Sequence, residues 1–263
     1  MIEEIDRVGS VCPEHDQRTC TALVEVSMLS LISERDRVLV LLPASQPDGV
    51  GDLLLRALSG QGVHCSAIWP LPSAESLAKE VRNNSLTCLV GLPLHLPALA
   101  EALPKDSGVS NMLLCSDYAP AAVRERIEAA YGCKTFLHYG ATETGLDGSI
   151  TARLCDIRGQ LKGCRLADGQ ELFRQDLDDA LFGIKAILDF RARLDPGSPE
   201  CLHIEYLAGR GYPAEAEIHE ALLTVPAVRE AVTAGRLVIG KGLPVSAFSA
   251  THTIKRSLLD RRF

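Results

Sequence analysis

The stretch FLHYGATETGLDG, residues 136–148, has the densest set of chemically capable side chains in the sequence. An apolar run ends at Tyr139, and Gly140, Thr142 and Glu143 follow within four positions. A threonine hydroxyl can donate to a phosphate oxygen, a glutamate can hold Mg²⁺ between phosphates, and a tyrosine ring offers a purine a flat face. Glycine lets the backbone approach a ligand closely. An ordinary polar loop after a strand would have the same composition, so both interpretations stay open at this point.

A sheet would position these residues, because buried strands and amphipathic helices alternate from residue 37 onward. Continuous apolar runs predict strands over 37–43, 63–69, 86–93, 110–117 and 134–140. Between them, apolar residues recur every three or four positions, which predicts helices over 49–62, 73–84, 94–103 and 120–132. Strands buried on both faces and separated by helices indicate an α/β fold with a mainly parallel sheet. Ligands of such sheets gather at the carboxyl ends of the strands, which is where residues 136–148 begin.

After Gly148 the chain follows a second pattern. It predicts helices over 175–184 and 213–225, and strands over 186–194, 201–208 and 236–240. This order is typical of a small α+β C-terminal domain. We therefore predict an α/β core over residues 1–163 and a small domain over 164–263.

Composition and charge narrow the possible partners and location. The net charge is −7, and no run of about 18 apolar residues occurs that could span a membrane. The first ten residues are acidic and mixed, unlike a leader peptide, and no basic block indicates nucleic acid as a partner. We expect a cytoplasmic protein that binds neither nucleic acid nor membrane.

The nine cysteines fit a reducing compartment, because several of them interrupt apolar strand-like runs as small hydrophobic residues would. Cys12, His15 and Cys20 lie close together and could be read as zinc ligands. No second ligand pair follows at a usable spacing, so we interpret them as surface and helix-start residues.

The segment HYGATETG resembles the Tyr-Gly-x-Thr-Glu motif of the adenylate-forming superfamily of acyl-CoA ligases, and it is most similar to the phenylacetate–CoA ligase branch. The resemblance extends from about residue 15 to the C-terminus. It implies that Thr142 binds the phosphate of AMP, that Glu143 binds Mg²⁺, and that Tyr139 packs against adenine, with Gly140 beside the nucleotide.

Three further segments carry the resemblance. LLCSDYAP resembles the adenine-side loop, which implies that Ser116 and Asp117 line the nucleotide. ARLCDI lies where the family has Arg-Thr-Gly-Asp, which implies that Asp156 holds the ribose hydroxyls; a surface strand of alternating charge is the alternative. GCRLADG resembles the hinge between the large and small domains, with Arg165 and Asp168 as its polar pair.

THTIKRSLLDRRF resembles the C-terminal lysine motif of the family and makes Lys255 the candidate catalytic lysine. Such a lysine would stabilise the negative charge that develops during adenylation. A basic, solvated tail is the alternative interpretation.

The sequence also departs from the family pattern. No Ser/Thr/Gly-rich phosphate loop ending in Pro-Lys precedes the first strand, and no GxxxxGK[ST] occurs. We therefore expect a truncated homologue in which the N-terminal subdomain with the phosphate loop is missing.

The resemblance implies a ligase that activates a carboxylic acid with ATP and Mg²⁺ and passes the acyl group to coenzyme A. Two alternatives remain: a non-catalytic homologue that binds nucleotide or serves as an interaction module, and an enzyme whose phosphate loop comes from a partner chain. A homodimer is a further expectation, because lost subdomains would expose apolar surface.

Overall fold

The computed structural model describes residues 31–45, 47, 49–71, 73–93, 96, 107–115, 117–138, 140–141, 146–147, 163–209, 211–246 and 258–262. The chain divides into two compact units. The first unit comprises Met1–Asp117 and Arg126–Ile157, and the second comprises Tyr118–Glu125 and Arg158–Phe263. The predicted domain boundary at residue 163 stays a prediction.

The first unit is built on a five-stranded sheet. Its strands are β1 (Arg37–Leu41), β2 (His64–Ala67), β3 (Cys88–Gly91), β4 (Asn111–Cys115) and β5 (Lys134–His138). All neighbours pair in parallel, in the order β2-β1-β3-β4-β5. The sequence predicted such a mainly parallel sheet, and the structure confirms it. Almost every side chain of β1, β3 and β4 is buried, because these inner strands are covered on both faces.

Three helices connect these strands: α1 (Val50–Gly60), α2 (Ala74–Asn83) and α3 (Ala121–Tyr131). The Ser73 hydroxyl caps α2 by accepting from the backbone N–H of Ser76 at 3.2 Å. Helix α1 begins against the end of β1, where a Cβ on Gly51 would stand 2.3 Å from the carbonyl oxygen of Pro43. A larger residue would therefore clash with the backbone. Of the predicted helix over 94–103, only Leu96 lies among the described residues.

The amino end of β1 is held by Asp36. One carboxylate oxygen accepts from the backbone N–H and the hydroxyl of Ser33, at 2.8 and 2.9 Å, and the other accepts from the Thr87 hydroxyl at 2.7 Å. Partial burial opposes ionisation of Asp36, but these hydrogen bonds outweigh it and hold its pKa below the ordinary value. The carboxylate therefore links β1 to the residue just before β3.

After β5 the chain forms a short antiparallel pair, β6 (Gly140–Ala141) and β7 (Leu146–Asp147). Ala141 pairs with Leu146, so the four residues 142–145 connect the two strands.

The second unit begins with the hairpin β8 (Gly163–Arg165) and β9 (Glu171–Phe173), followed by helix α4 (Arg174–Leu181). Its main sheet comprises β10 (Ile187–Asp195), β11 (Glu200–Ala208), β12 (Leu237–Ile239), β13 (Leu243–Val245) and β14 (Leu259–Asp260). Helices α5 (Glu215–Leu223) and α6 (Pro226–Thr233) lie between β11 and β12 in sequence. The predicted small α+β arrangement is confirmed, with α6 as an unpredicted helix.

The long strands β10 and β11 pair antiparallel and alternate in burial. Phe190, Ala192 and Leu194 of β10 are buried, whereas the residues between them are half-exposed. One face of this sheet therefore packs in the core of the unit. Within the described part of the chain, no helix is long and apolar enough to cross a membrane.

Candidate functional site

The carboxyl ends of β4 and β5 lie side by side in the sheet. The two strands are parallel neighbours, and Cys115 at the end of β4 is in register with His138 at the end of β5. Ser116 and Tyr139 are the next residues in each chain segment. The two predicted nucleotide-binding segments therefore begin at neighbouring strand ends, on the carboxyl edge of the sheet.

The ends of β1 and β3 are apolar by comparison. The strand order reverses between these two strands, the position at which doubly wound sheets usually open a crevice. The described residues that follow at once are Leu42 and Leu92, both buried, with a proline after each. In the sequence, by contrast, Ser116 and Asp117 follow β4, and Tyr139, Thr142 and Glu143 follow β5.

Three of the predicted site residues lie among the described residues: Asp117, Gly140 and Arg165. Asp117 is half-exposed just after β4, and Gly140 is the first residue of β6. The remaining six lie outside the described residues: Ser116, Tyr139, Thr142, Glu143, Asp156 and Lys255. The roles assigned to all nine stay predictions.

Arg165 and Asp168 both belong to the β8–β9 hairpin but make separate contacts. The Arg165 guanidinium lies 3.8 Å from the Glu171 carboxylate across the hairpin, and both side chains are largely exposed. The Asp168 carboxylate accepts from the backbone N–H of Gln170 at 3.0 Å. Gly169 has φ +87°, which the turn requires and which glycine adopts at little cost. These contacts shape the hairpin turn.

The clearest pKa shifts in the first unit lie at buried structural positions. Burial raises the pKa of the Cys88 thiol to about 12, and it raises the pKa of the Tyr131 phenol, whose hydroxyl donates to the carbonyl of Leu96 at 3.0 Å. The Asp36 network lies at the amino end of β1, away from the carboxyl edge. These shifts therefore do not mark the candidate site.

No cluster of three or more His, Cys, Asp or Glu side chains suited to a metal ion occurs in the described ranges. The predicted Mg²⁺ ligand Glu143 lies outside those ranges, as do Cys12, His15 and Cys20. All six described cysteines are free thiols. Cys88 and Cys115 are buried as predicted, whereas Cys65 and Cys201 are only partly covered.

Sequence reasoning passed over the buried charged groups of the second unit, Glu200 among them. Glu200 is one of four buried polar or charged residues identified among the described ones, and it pairs with Arg262 near the end of the chain. Glu200 stands on the buried phase of the alternating strand β11, and Arg262 lies in a basic stretch, so neither sequence context identifies the other as its partner. Their partnership is visible only in three dimensions.

A five-stranded parallel sheet followed along the chain by a small α+β unit matches the fold expected from the resemblance to adenylate-forming proteins. The model of the AMP-binding enzyme family matches residues 12–166 of the sequence. This span is more than half of the chain, and the protein belongs to that family. No curated protein matches the sequence significantly.

Several solved structures share the fold. One is 2-hydroxyisobutyryl-CoA ligase in the postadenylation state with R3-HIB-AMP, at 13% identity and a TM-score of 0.67, covering 95% of this chain and 70% of that one. A benzoate CoA ligase from Burkholderia xenovorans LB400 has 15% identity and a TM-score of 0.60, with coverages of 92% and 64%. The amide bond synthetase McbA from Marinactinospora thermotolerans has 12% identity and a TM-score of 0.61, with coverages of 88% and 62%. At these identities the likeness establishes a common fold.

Proposed function

We propose that this protein activates a carboxylic acid with ATP, forming an acyl adenylate and releasing pyrophosphate, and then transfers the acyl group to coenzyme A. Membership in the AMP-binding enzyme family supports the first step. The observation that carries the proposal is the register of β4 and β5, which brings the segments after Cys115 and His138 to neighbouring positions at one sheet edge. Both segments lie inside the region that the family model matches.

The first step needs groups that hold the nucleotide and neutralise charge at the α-phosphorus. The carboxylate oxygen of the acid attacks the α-phosphorus. At the same time the bond between the α-phosphorus and the oxygen of the leaving pyrophosphate breaks. We assign the Thr142 hydroxyl to an α-phosphate oxygen and the Lys255 ammonium to the negative charge that develops there. Tyr139 would stack on adenine, with Gly140 leaving room for the nucleotide.

The remaining assignments concern the rim of the nucleotide. We assign Ser116 and Asp117 to the adenine side, Asp156 to the ribose hydroxyls and Arg165 to the hinge-side contact with the nucleotide. A carboxylate can accept hydrogen bonds from two hydroxyls at once, which suits Asp156 to a ribose.

Glu143 is the residue that we assign to Mg²⁺. A carboxylate and a hydroxyl, as in Thr142 and Glu143, are hard oxygen donors of the kind Mg²⁺ prefers, and both stand in the four-residue connection between the paired Ala141 and Leu146. When bound, the ion would neutralise charge on the phosphates of ATP. The residues present therefore fit this metal.

The acceptor of the acyl group is a separate part of the proposal. In the second step the thiol of coenzyme A attacks the acyl carbonyl, and AMP leaves with its phosphate oxygen. The structural neighbours include CoA ligases and an amide bond synthetase, so an amine is the competing acceptor to include in any assay. From the resemblance to the phenylacetate–CoA ligase branch, we propose an aryl or arylacetic acid as substrate.

Pyrophosphate–ATP exchange with a panel of aryl and short-chain acids tests the first step. The segment after β5 supplies a matched pair of variants, Thr142→Val and Thr144→Val. Each removes one threonine hydroxyl, and the two positions are two residues apart. We expect Thr142→Val to lower exchange about 100-fold and Thr144→Val to leave it within about threefold. Glu143→Ala should lower exchange and raise the Mg²⁺ concentration needed for half-maximal exchange.

The outcomes separate the candidate functions. No exchange with any acid, together with retained AMP binding, would show a nucleotide-binding homologue without catalysis. Exchange that appears only with a co-purified protein would show that a partner chain completes the site. Equal loss in Thr142→Val and Thr144→Val would contradict the assigned role of Thr142.

Location and assembly are further proposals. We propose a cytoplasmic protein, in keeping with its nine cysteines and its use of ATP. We also propose a homodimer, which light scattering at several concentrations would test; a constant monomer mass would refute it.

A further inference from the structure

Arg262 fastens the end of the described chain to the body of the second unit. Its guanidinium donates to Glu200 Oε1 from Nη1 at 2.7 Å, and to the two oxygens of Asp260 from Nε and Nη2 at 2.9 and 2.6 Å. The other Glu200 oxygen, Oε2, accepts from the backbone N–H of Ala167 at 3.1 Å. We call this set, formed by Arg262, Asp260, Glu200 and the Ala167 N–H, the Arg262 clasp.

The clasp is shielded from water. The Arg262 and Glu200 side chains are 10% and 9% exposed, so solvent and salt screen their pairing only weakly. Hydrogen bonding to Asp260 raises the pKa of Arg262, and the same contact lowers the pKa of Asp260. The contact therefore favours the charged form of both groups. Removing one partner would leave a buried charge uncompensated, which is strongly unfavourable.

The clasp joins two segments that are far apart in sequence. Ala167 lies in the turn of the β8–β9 hairpin. Cys164 of β8 is also close to the clasp: burial raises the pKa of its thiol, and the charges of Arg262, Asp260 and Glu200 contribute to that pKa. At the other end, β14 pairs with β10 through only two residues, extended by a bond from the Arg261 N–H to the Leu194 carbonyl at 3.0 Å. So short a strand gains a large share of its anchoring from Arg262.

The hairpin has a second attachment that does not involve the C-terminus. The Gln170 side-chain amide donates to the Glu230 carboxylate of α6. The hairpin is thus attached to Glu230 and to Glu200, and Glu200 also binds Arg262 near the end of the chain. A single carboxylate therefore bridges the hairpin turn and β14.

We propose that Arg262 is a positioning residue that couples the β8–β9 hairpin to the C-terminal segment carrying Lys255. The described segment begins at Leu258, three residues after Lys255, so the chain allows their Cα atoms to separate by at most about 11 Å. The clasp thereby ties Asp260 and Arg262, from which the chain leads back to Lys255, to the hairpin. The catalytic consequence rests on the proposed function; the mechanical coupling does not.

Amide hydrogen exchange tests the coupling directly. The variant Arg262→Ala removes the clasp, and Arg261→Ala removes a neighbouring exposed arginine outside it as a matched control. We expect Arg262→Ala to accelerate amide hydrogen exchange about tenfold or more at Ala167. The same acceleration should appear in two sets of peptides, one covering 163–173 and the other covering 258–262. Arg261→Ala should leave these peptides as in the wild type.

Two milder variants distinguish the loss of the clasp from general unfolding of the protein. Glu200→Gln keeps an acceptor for Ala167 but loses the charge, and Arg262→Lys keeps the charge but loses the forked geometry. Each should accelerate exchange less than Arg262→Ala does. Unchanged exchange at Ala167 in a folded Arg262→Ala protein, or equal acceleration in Arg261→Ala, would overturn the coupling.

A kinetic double-mutant cycle tests the catalytic consequence. We expect Arg262→Ala to lower kcat of pyrophosphate exchange about 10- to 100-fold with little change in KM for ATP, and Arg262→Lys to recover part of it. In a Lys255→Ala background the same change should cost almost nothing further. Additive losses would refute the positioning role. A wild type without exchange would refute the proposed function, and amide exchange would still decide the coupling.

Discussion

At the scale of single residues, Asp36 shows how one carboxylate secures the start of the sheet. The change Asp36→Asn removes a charge that accepts hydrogen bonds from Ser33 and Thr87. We expect a loss of about 1–2 kcal/mol in the free energy of unfolding at pH 7, because hydrogen bonds to a charged group are strengthened. Urea denaturation would measure it.

The effect of Asp36 should depend on pH in a defined direction. Its folded pKa lies below the ordinary value of 3.8, so its stabilisation is present above that pH and is lost as the pH falls through the folded pKa. Wild type and Asp36→Asn should therefore converge in acid. Asp52→Asn is the control, since Asp52 forms a partly exposed pair with Arg56 at 3.1 Å and should change stability by about 0.5–1 kcal/mol or less. A constant difference down to pH 2.5 would contradict the assignment.

Tyr139 carries a prediction about the nucleotide at the same scale. Stacking of an aromatic ring on a base contributes about 1–3 kcal/mol, so Tyr139→Ala should raise the Kd for AMP about 10- to 100-fold. Tyr139→Phe keeps the ring and should bind within about threefold of the wild type. Calorimetric titration of AMP measures both. A Phe variant as weak as the Ala variant would show that the hydroxyl, rather than the ring, contacts AMP.

At the scale of elements, the junction of β1 and α1 depends on a missing side chain. In Gly51→Ala, the new Cβ would meet the Pro43 carbonyl at 2.3 Å, and the helix would have to shift away from the strand. We expect a loss of about 1–3 kcal/mol, as for other overpacked positions. Val50→Ala is the neighbouring control, because the Val50 side chain is 47% exposed and its truncation removes little buried surface. Thermal unfolding of both variants gives the comparison, and equal melting temperatures would refute the close contact.

Elements with continuous apolar runs could be predicted from the sequence, and short ones could not. The inner strands β1, β3 and β4 are buried on both faces, so their sequences are unbroken apolar runs. Strands β13 and β14 have three and two residues, too few to show a period, and their partners lie far away in sequence. Helix α6 has only eight residues and begins three residues after α5 ends, so the sequence did not separate it from α5.

The same contrast holds for the candidate site. The segment after β5 could be located from the sequence because its polar residues follow a buried strand directly. The pairing of Glu200 with Arg262 could not, since 62 residues separate them and nothing in the local pattern around either residue points to the other. Local patterns predict where the chain turns toward a site; long-range ion pairs appear only once the chain is folded.

At the scale of the whole molecule, a bound nucleotide should stabilise the fold. A ligand that binds only the folded state adds about 2.7 kcal/mol at 100 times its Kd. Saturating AMP should therefore raise the melting temperature of the wild type by several degrees and that of Tyr139→Ala by less at the same concentration. Uridine monophosphate is the control ligand, with a similar phosphate and sugar but no purine. An equal shift with both nucleotides would contradict recognition of adenine.

The central claim is that the segment after β5 binds an adenylate, and a crystal structure of the protein with AMP tests it most directly. We predict adenine stacked on Tyr139, the phosphate within hydrogen-bonding distance of the Thr142 hydroxyl, and the nucleotide at the carboxyl edge beside the segment after β4. AMP bound elsewhere, or no AMP at saturating concentration, would contradict the claim.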